Sequence, residues 1–126
     1  MRYPYNTKRF PPGPVIEIVC INAAEGLKTE PLPALVDTGA DATILPVRFL
    51  SQIGAPRTVV QWLRSHWGER QQVFLYLVDV AIGDMSLPGI EVVGDPSGDE
   101  VIVGRDILNR LRVLLDGPAE LTEVQV

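Results

Sequence analysis

The stretch Ala34-Leu35-Val36-Asp37-Thr38-Gly39-Ala40-Asp41-Ala42-Thr43-Ile44-Leu45-Pro46 decides how the chain is read. Ala34-Leu35-Val36 is a short apolar run of strand type, and it stops abruptly at Asp37, where small, polar and flexible residues replace the apolar pattern. A loop belongs there. A strand that ends in an aspartate, followed by a small hydroxyl residue and a glycine, can hold a carboxylate in a shallow depression with backbone N–H groups in reach. On that ground Asp37 is a candidate acid/base group, with Thr38, Gly39 and Ala40 as the loop around it. The same tripeptide also suits a purely local role, an Asx turn closing a strand end.

Outward from this loop, Val, Ile and Leu dominate in short runs broken by 11 prolines and 11 glycines. No amphipathic 3.6-residue pattern is sustained for three turns, so the expectation is a mainly β domain with one or two short helices. Residues 1–14, with Pro4, Pro11, Pro12 and Gly13, read as a Pro-rich N-terminal arm, and residues 15–126 as a single domain. Val15 to Ile21 alternates around Glu17 and predicts a first strand, followed by a turn at Glu25-Gly26, a weaker strand over Lys28 to Leu32, and the run into Asp37. Pro46 to Ile53 predicts one or two helical turns, entered by proline and left at Gly54. Thr58 to Leu63 and Gln72 to Ile82 flank a polar segment and predict a long hairpin over about 58–82. Leu87 to Val93 and Val101 to Val103 are further strands, with a turn from Gly94 to Glu100. Asp106 to Arg112 predicts a short helix with Asp106 near its positive end, and strands over Val113 to Leu115 and Leu121 to Val126 close the chain.

Composition removes several functional classes. The 126 residues carry 11 Lys and Arg against 16 Asp and Glu, a net charge of −5, so the chain lacks the basic patch that nucleic-acid backbones require. No apolar run approaches the ~20 residues that cross a bilayer, and the polar, proline-rich start is unlike a secretory signal, so no membrane partner and a cytoplasmic location are expected. The single cysteine, Cys20, sits in an apolar run and reads as a small buried hydrophobe. His66 is the only histidine, and no carboxylate spacing resembles a calcium loop, so neither a metal site nor a histidine-based hydrolase triad is supported. No glycine pattern cradles a phosphate, and no cofactor is implied.

A second block, Val101-Ile102-Val103-Gly104-Arg105-Asp106, lies some 65 residues after the first, with the hairpin between them. In motif, order and spacing the two blocks resemble the retropepsin-like (retroviral-type) aspartic protease family, over roughly Val15 to Leu115. The resemblance implies a closed β-barrel of the acid-protease type and assigns roles. Asp37 would be the catalytic aspartate, Thr38 and Gly39 would complete its loop, and the Thr38 hydroxyl would bond across to a partner loop. Asp41 and Arg105 fall where the family forms an ion pair bracing that loop, and Gly104 where a glycine lets the chain cross behind it. Asp106 stands where some members have asparagine. The hairpin would be the flap, with His66, Trp67 and Gly68 at its tip against substrate. Its single glycine departs from the glycine-rich retroviral flap.

Hydrolysis by this route needs two carboxylates sharing one proton, because like charges about 3 Å apart cannot both ionise. The chain has one Asp-Thr-Gly, so the resemblance implies a two-fold homodimer in which Asp37 meets its own copy, acting as an aspartic endopeptidase on peptide or protein substrates. Either the Pro-rich arm or Leu121 to Val126 could form the interface. Ala40 offers no hydroxyl to stabilise the ionised pair, which predicts an optimum about pH 5–6. Trp62 and Trp67 suit either a binding hairpin or cross-strand packing. The alternative function is a peptide-binding or assembly module on the same fold with little or no catalysis.

Overall fold

The computed structural model describes residues 1–64 and 70–125. Among them the strands are β1 (Arg2–Pro4), β2 (Val15–Asn22), β3 (Leu27–Lys28), β4 (Leu32–Val36), β5 (Ile44–Pro46), β6 (Arg57–Arg64), β7 (Arg70–Ile82), β8 (Met85–Asp95), β9 (Ile102–Val103), β10 (Arg112–Asp116) and β11 (Leu121–Gln125). Two short helices interrupt them, α1 (Val47–Gln52) and α2 (Arg105–Leu108). No helix among the described residues is long and apolar enough to cross a membrane.

The larger sheet runs β3-β2-β4-β9-β5-β8-β7-β6, and a further pairing of β2 with β7 closes its middle into a six-stranded barrel. Residue period explains why it closes around one core. Along β2 the side chains of Ile16, Ile18 and Cys20 alternate inward and are fully buried, while Glu17 faces out. Val78, Val80 and Ile82 of β7, Val92 of β8 and Val103 of β9 meet them, and Leu50 of α1 and Ile107 of α2 plug the ends. A smaller apolar cluster of Val73, Leu75 and Val93, with Ala42 and Ile44 packed on it, forms on the opposite face of β7 and β8. Consecutive buried pairs, Leu75-Tyr76 on β7 and Val92-Val93 on β8, mark where those strands are covered on both sides.

Several elements differ from the sequence expectation. Lys28 to Leu32 is not one strand: β3 ends at Lys28 and Leu32 already belongs to β4. Thr29 instead ties the gap to β2, its N–H donating to the Cys20 carbonyl at 2.9 Å and its hydroxyl accepting the Cys20 N–H at 3.1 Å. The helix expected over Asp106 to Arg112 is only Arg105–Leu108; looser turns carry the chain on to β10, which claims Arg112. The turn expected from Gly94 to Glu100 is shorter, since β8 runs on to Asp95. The helix after β5 does end at Gly54, whose φ of 63° suits glycine, and the Asn22 side chain caps it by donating to the Ile53 and Gly54 carbonyls at 2.9 and 3.0 Å.

The chain ends form a second, three-stranded sheet in the order β1-β11-β10. Arg2 to Pro4 of the Pro-rich arm is therefore an outer strand, and the Met1 amino group donates to the Val124 carbonyl at 3.0 Å. Farther on, Asn6 and Gly13 bridge the arm to itself, and Arg9 forms an ion pair with Glu100 beside the turn that follows β8.

Candidate active site

Asp37 lies at the end of β4, where that strand runs parallel to β9 with Val36 beside Val103. The ladder continues one step beyond the strand, the Asp37 N–H donating to the Val103 carbonyl at 3.0 Å, so the first residue of the loop is fixed by the barrel itself. The chain then turns. Gly39 N–H donates to Asp37 Oδ1 at 2.9 Å, and Ala40 N–H to the Asp37 carbonyl at 3.2 Å. An Asx turn is thus present, and it does not compete with a chemical role: it orients the carboxylate through one oxygen. The other oxygen accepts no hydrogen bond among the described residues. Asp37 is half-buried and Thr38 and Gly39 are exposed on the single chain.

Behind this loop the Gly104-Arg105-Asp106 segment crosses from β9 into α2. Gly104 has φ −96° and ψ −173°, extended geometry open to any residue, so its requirement is one of space. A Cβ there would stand 2.7 Å from both atoms of the Ala42 carbonyl and 2.9 Å from the Ala40 oxygen. Arg105 N–H donates to that same Ala40 oxygen at 2.9 Å, closing the crossing. The Arg105 guanidinium reaches forward, donating to the Thr38 carbonyl at 2.7 Å and pairing with the Asp41 carboxylate. Asp41 is 89% exposed, so this pair contributes geometry more than energy.

The firmer brace is buried. Thr43, with no solvent exposure, donates its hydroxyl to Asp106 Oδ1 at 2.7 Å and its N–H to Oδ2 at 3.0 Å, while its hydroxyl oxygen accepts the Gly104 N–H at 3.2 Å. Bonds to an ionised carboxylate are stronger than neutral ones, and here both oxygens are used by one residue. Asp106 accordingly has a definite place: it holds the start of β5 to the start of α2. Thr43 stood within the quoted motif, yet nothing in its local pattern marked it, because its partner is 63 residues away.

The structure therefore gathers Asp37, Thr38, Gly39, Ala40, Asp41, Gly104, Arg105 and Asp106 around one loop. His66, Trp67 and Gly68, expected at the flap tip, lie outside the described residues. The hairpin that would carry them is present as β6 paired antiparallel with β7, in register from Val60 opposite Phe74 to Arg64 opposite Arg70. No group of three or more metal-type ligands is found among the described residues. On the β5, β7 and β8 side of the barrel, Ile44, Val73 and Val93 line an open cavity of about 300 Å³ together with Asp95 and Ser97.

Among solved structures the chain is similar to a retropepsin-like aspartic protease from Rickettsia conorii, with a TM-score of 0.64 and 17% identity over 100% of this chain and 92% of that one. It is also similar to the EIAV protease complexed with the inhibitor HBY-793, with a TM-score of 0.55 and 21% identity over 86% and 93% of the two chains. A third likeness is to the retroviral protease-like domain of Ddi1 from Leishmania major, with a TM-score of 0.53 and 17% identity over 89% of each chain. At such identities these likenesses establish the fold. No curated protein matches the sequence. The family model described as "gag-polyprotein putative aspartyl protease" matches residues 26–110, which include both the Asp37 loop and the Gly104 crossing, and the chain belongs to this family of retropepsin-like aspartic proteases.

Proposed function

We propose that the protein is an aspartic endopeptidase that acts as a two-fold homodimer, with Asp37 of each subunit supplying half of the catalytic pair. The observation that carries this reading is the Asp37 loop: a half-buried carboxylate beside exposed Thr38 and Gly39, with one oxygen oriented by Gly39 and a buried Thr43–Asp106 brace behind it. A loop fixed so firmly from behind and exposed in front is suited to meeting a second copy of itself. Within the pair one carboxylate is ionised and the other protonated. The ionised group takes a proton from water as the water oxygen attacks the peptide carbonyl carbon, and the protonated group gives its proton to the carbonyl oxygen. The carbon–nitrogen bond then breaks as the nitrogen receives a proton, leaving a free acid and a free amine.

Substrate would lie extended between the β6–β7 hairpin and the loop, adding a strand to the structure as extended peptides commonly do. The cavity lined by Ile44, Val73 and Val93 suits an apolar side chain of that peptide. The test is cleavage of a diverse peptide pool across pH 4–7 by the protein and by an Asp37→Asn variant. The expected result is cleavage with an optimum about pH 5–6 that falls by about 10²–10⁴-fold in the variant. Equal cleavage by both proteins, or none by either, would overturn the assignment.

A further inference from the structure

An unbroken cross-strand row of apolar residues runs over one face of the barrel and ends under the N-terminal arm. The register pairs Leu75 of β7 with Val93 of β8, Val93 with Ile44 of β5, and Ile44 with Ile102 of β9. It continues from Ile102 to Leu35 of β4 and from Leu35 to Val15 of β2. Residues directly opposite each other point to the same face of a sheet, and Leu35 shares that face with Asp37, two residues on. The row is therefore an apolar floor beside the carboxylate loop. Two cavities stand on it, one of about 300 Å³ over Ile44 and Val93 and one of about 190 Å³ over Leu35 and Val15. The turn from Asp95 to Glu100 borders both, the first through Asp95, Pro96 and Ser97 and the second through Asp99 and Glu100.

That turn is held unevenly. Its first half folds on itself, Asp95 Oδ1 accepting the Ser97 N–H at 3.0 Å and the Gly98 N–H at 2.9 Å. Among the described residues, no backbone hydrogen bond ties Asp99 or Glu100 to another part of the chain; the next such tie is at Val101, whose carbonyl accepts the Leu35 N–H at 2.9 Å. Two arginines from distant elements hold this half instead. Arg48 of α1 donates to Asp99 Oδ1 at 2.7 Å, and Arg9 of the arm pairs with Glu100. The arm's own fold places Arg9. Asn6 and Gly13 exchange main-chain hydrogen bonds at 2.8 and 3.2 Å, which bends the arm into a closed loop. The Arg9 stem lies against Gly13, where a Cβ would come within 2.9 Å of Arg9 Cδ and 3.2 Å of Leu35 Cδ1.

We propose that Arg9 and Arg48 are positioning residues for substrate, clamping the Asp95–Glu100 turn from two separate elements so that it forms a side wall of the peptide cleft. This deepens the peptidase reading given above and rests on it. Neither arginine touches the reacting atoms. Exposed ion pairs contribute little to stability, but Asp99 and Glu100 have no backbone tie of their own and take their position from these two. A wall that drifts loosens the grip on the peptide equally in the ground state and the transition state. The signature is a raised KM with little change in kcat. The Pro-rich arm thereby has a task within its own subunit, at the end of the apolar floor.

The test combines steady-state cleavage of a peptide with backbone ¹⁵N relaxation of the full-length chain, which reports on the turn whether or not anything is cleaved. Arg9→Ala and Arg48→Ala are each expected to raise KM about two- to fivefold with kcat within about twofold. Each should also lower the order parameters of Asp99 and Glu100 while those of the barrel strands stay as in wild type. Arg9→Glu sets two carboxylates together and should raise KM further than Arg9→Ala. The double variant Arg9→Glu/Glu100→Arg restores opposite charges and should regain most of the loss. Lys8→Ala removes the neighbouring charge on the arm and should match wild type. Alanine variants with unchanged KM and order parameters overturn the proposal, as does a fall in kcat at constant KM. So does a double variant no better than Arg9→Glu, or a Lys8→Ala protein as impaired as Arg9→Ala. Any of these with Asp37-dependent cleavage intact would leave the peptidase reading standing. A chain that cleaves nothing, yet whose turn is loosened by Arg9→Ala, would sink the peptidase reading and the substrate role of the clamp with it.

Discussion

Gly104→Ala separates a steric requirement from a conformational one. At φ −96° alanine meets no backbone penalty, and replacing glycine in an accessible conformation stabilises proteins by about 0.4–1 kcal/mol through the unfolded chain. Against this stands the added methyl, 2.7 Å from the Ala42 carbonyl atoms and 2.9 Å from the Ala40 oxygen, where carbon contacts are optimal at about 3.5–4.0 Å. Both obstacles are backbone and cannot rotate aside, so relief requires moving the loop. Overpacking of this kind costs about 1–3 kcal/mol, and displacing the Ala40 carbonyl also weakens its 2.9 Å bond from Arg105 N–H, worth about 1 kcal/mol. The clash exceeds the unfolded-state gain, leaving a net loss of about 1–4 kcal/mol. Urea denaturation would measure it, and kcat/KM should fall by about 10²-fold because the Asp37 loop is the part that shifts. A variant as stable as wild type or more so, with unchanged activity, would refute the steric account of this glycine.

Other consequences of the geometry can be checked separately. Thr43→Val keeps the shape but leaves the buried Gly104 N–H without its partner and removes one of the two bonds to Asp106 Oδ1, which keeps the Ile107 N–H at 2.9 Å, and should cost about 1–3 kcal/mol in urea denaturation; a loss below about 0.5 kcal/mol would contradict the buried brace. Arg105→Ala should cost within about 1 kcal/mol of stability, since its ion-pair partner is exposed, yet reduce kcat/KM by more than that loss of folded protein explains. A large stability loss with normal kcat/KM would reverse the roles given to Arg105 and Thr43. Burial pushes the Cys20 thiol from 9.0 up to about 12, so Ellman's reagent should fail to label it in the native state and label it on unfolding. Because the folded state holds this proton more tightly, its contribution to stability is complete below pH 9.0 and is lost as pH rises toward about 12. Rapid labelling of native protein at pH 8 would contradict the packing around Cys20.

What could be read in the sequence was what neighbouring residues determine together. Alternation in Val15 to Ile21 and the apolar run into Asp37 carry their own period, and the proline entry and glycine exit of α1 are local signals. β1 and β5, at three residues each, are too short to show a period and exist only because other strands pair with them. Lys28 to Leu32 misled for a related reason: Thr29 bonds to β2 as a strand residue would, but Pro31, with no N–H to donate, lies in the gap between β3 and β4. At the site, Asp37 was visible from its setting, and the positions of Gly104, Arg105 and Asp41 came from the resemblance. The link from Thr43 to Asp106 was visible in neither, since it exists only once β5 and α2 have met.

The claim that each subunit supplies half of a carboxylate pair is tested most directly by mixing. Wild-type protein is combined with increasing amounts of Asp37→Asn protein, allowed to exchange subunits, and assayed on a peptide that wild type cleaves. At equal amounts, random pairing leaves about a quarter of all dimers with both aspartates, so activity per wild-type chain should fall to about half and continue downward as the variant is added. Activity per wild-type chain that stays constant at every ratio, with exchange confirmed, would mean that one Asp37 suffices, and would contradict the account.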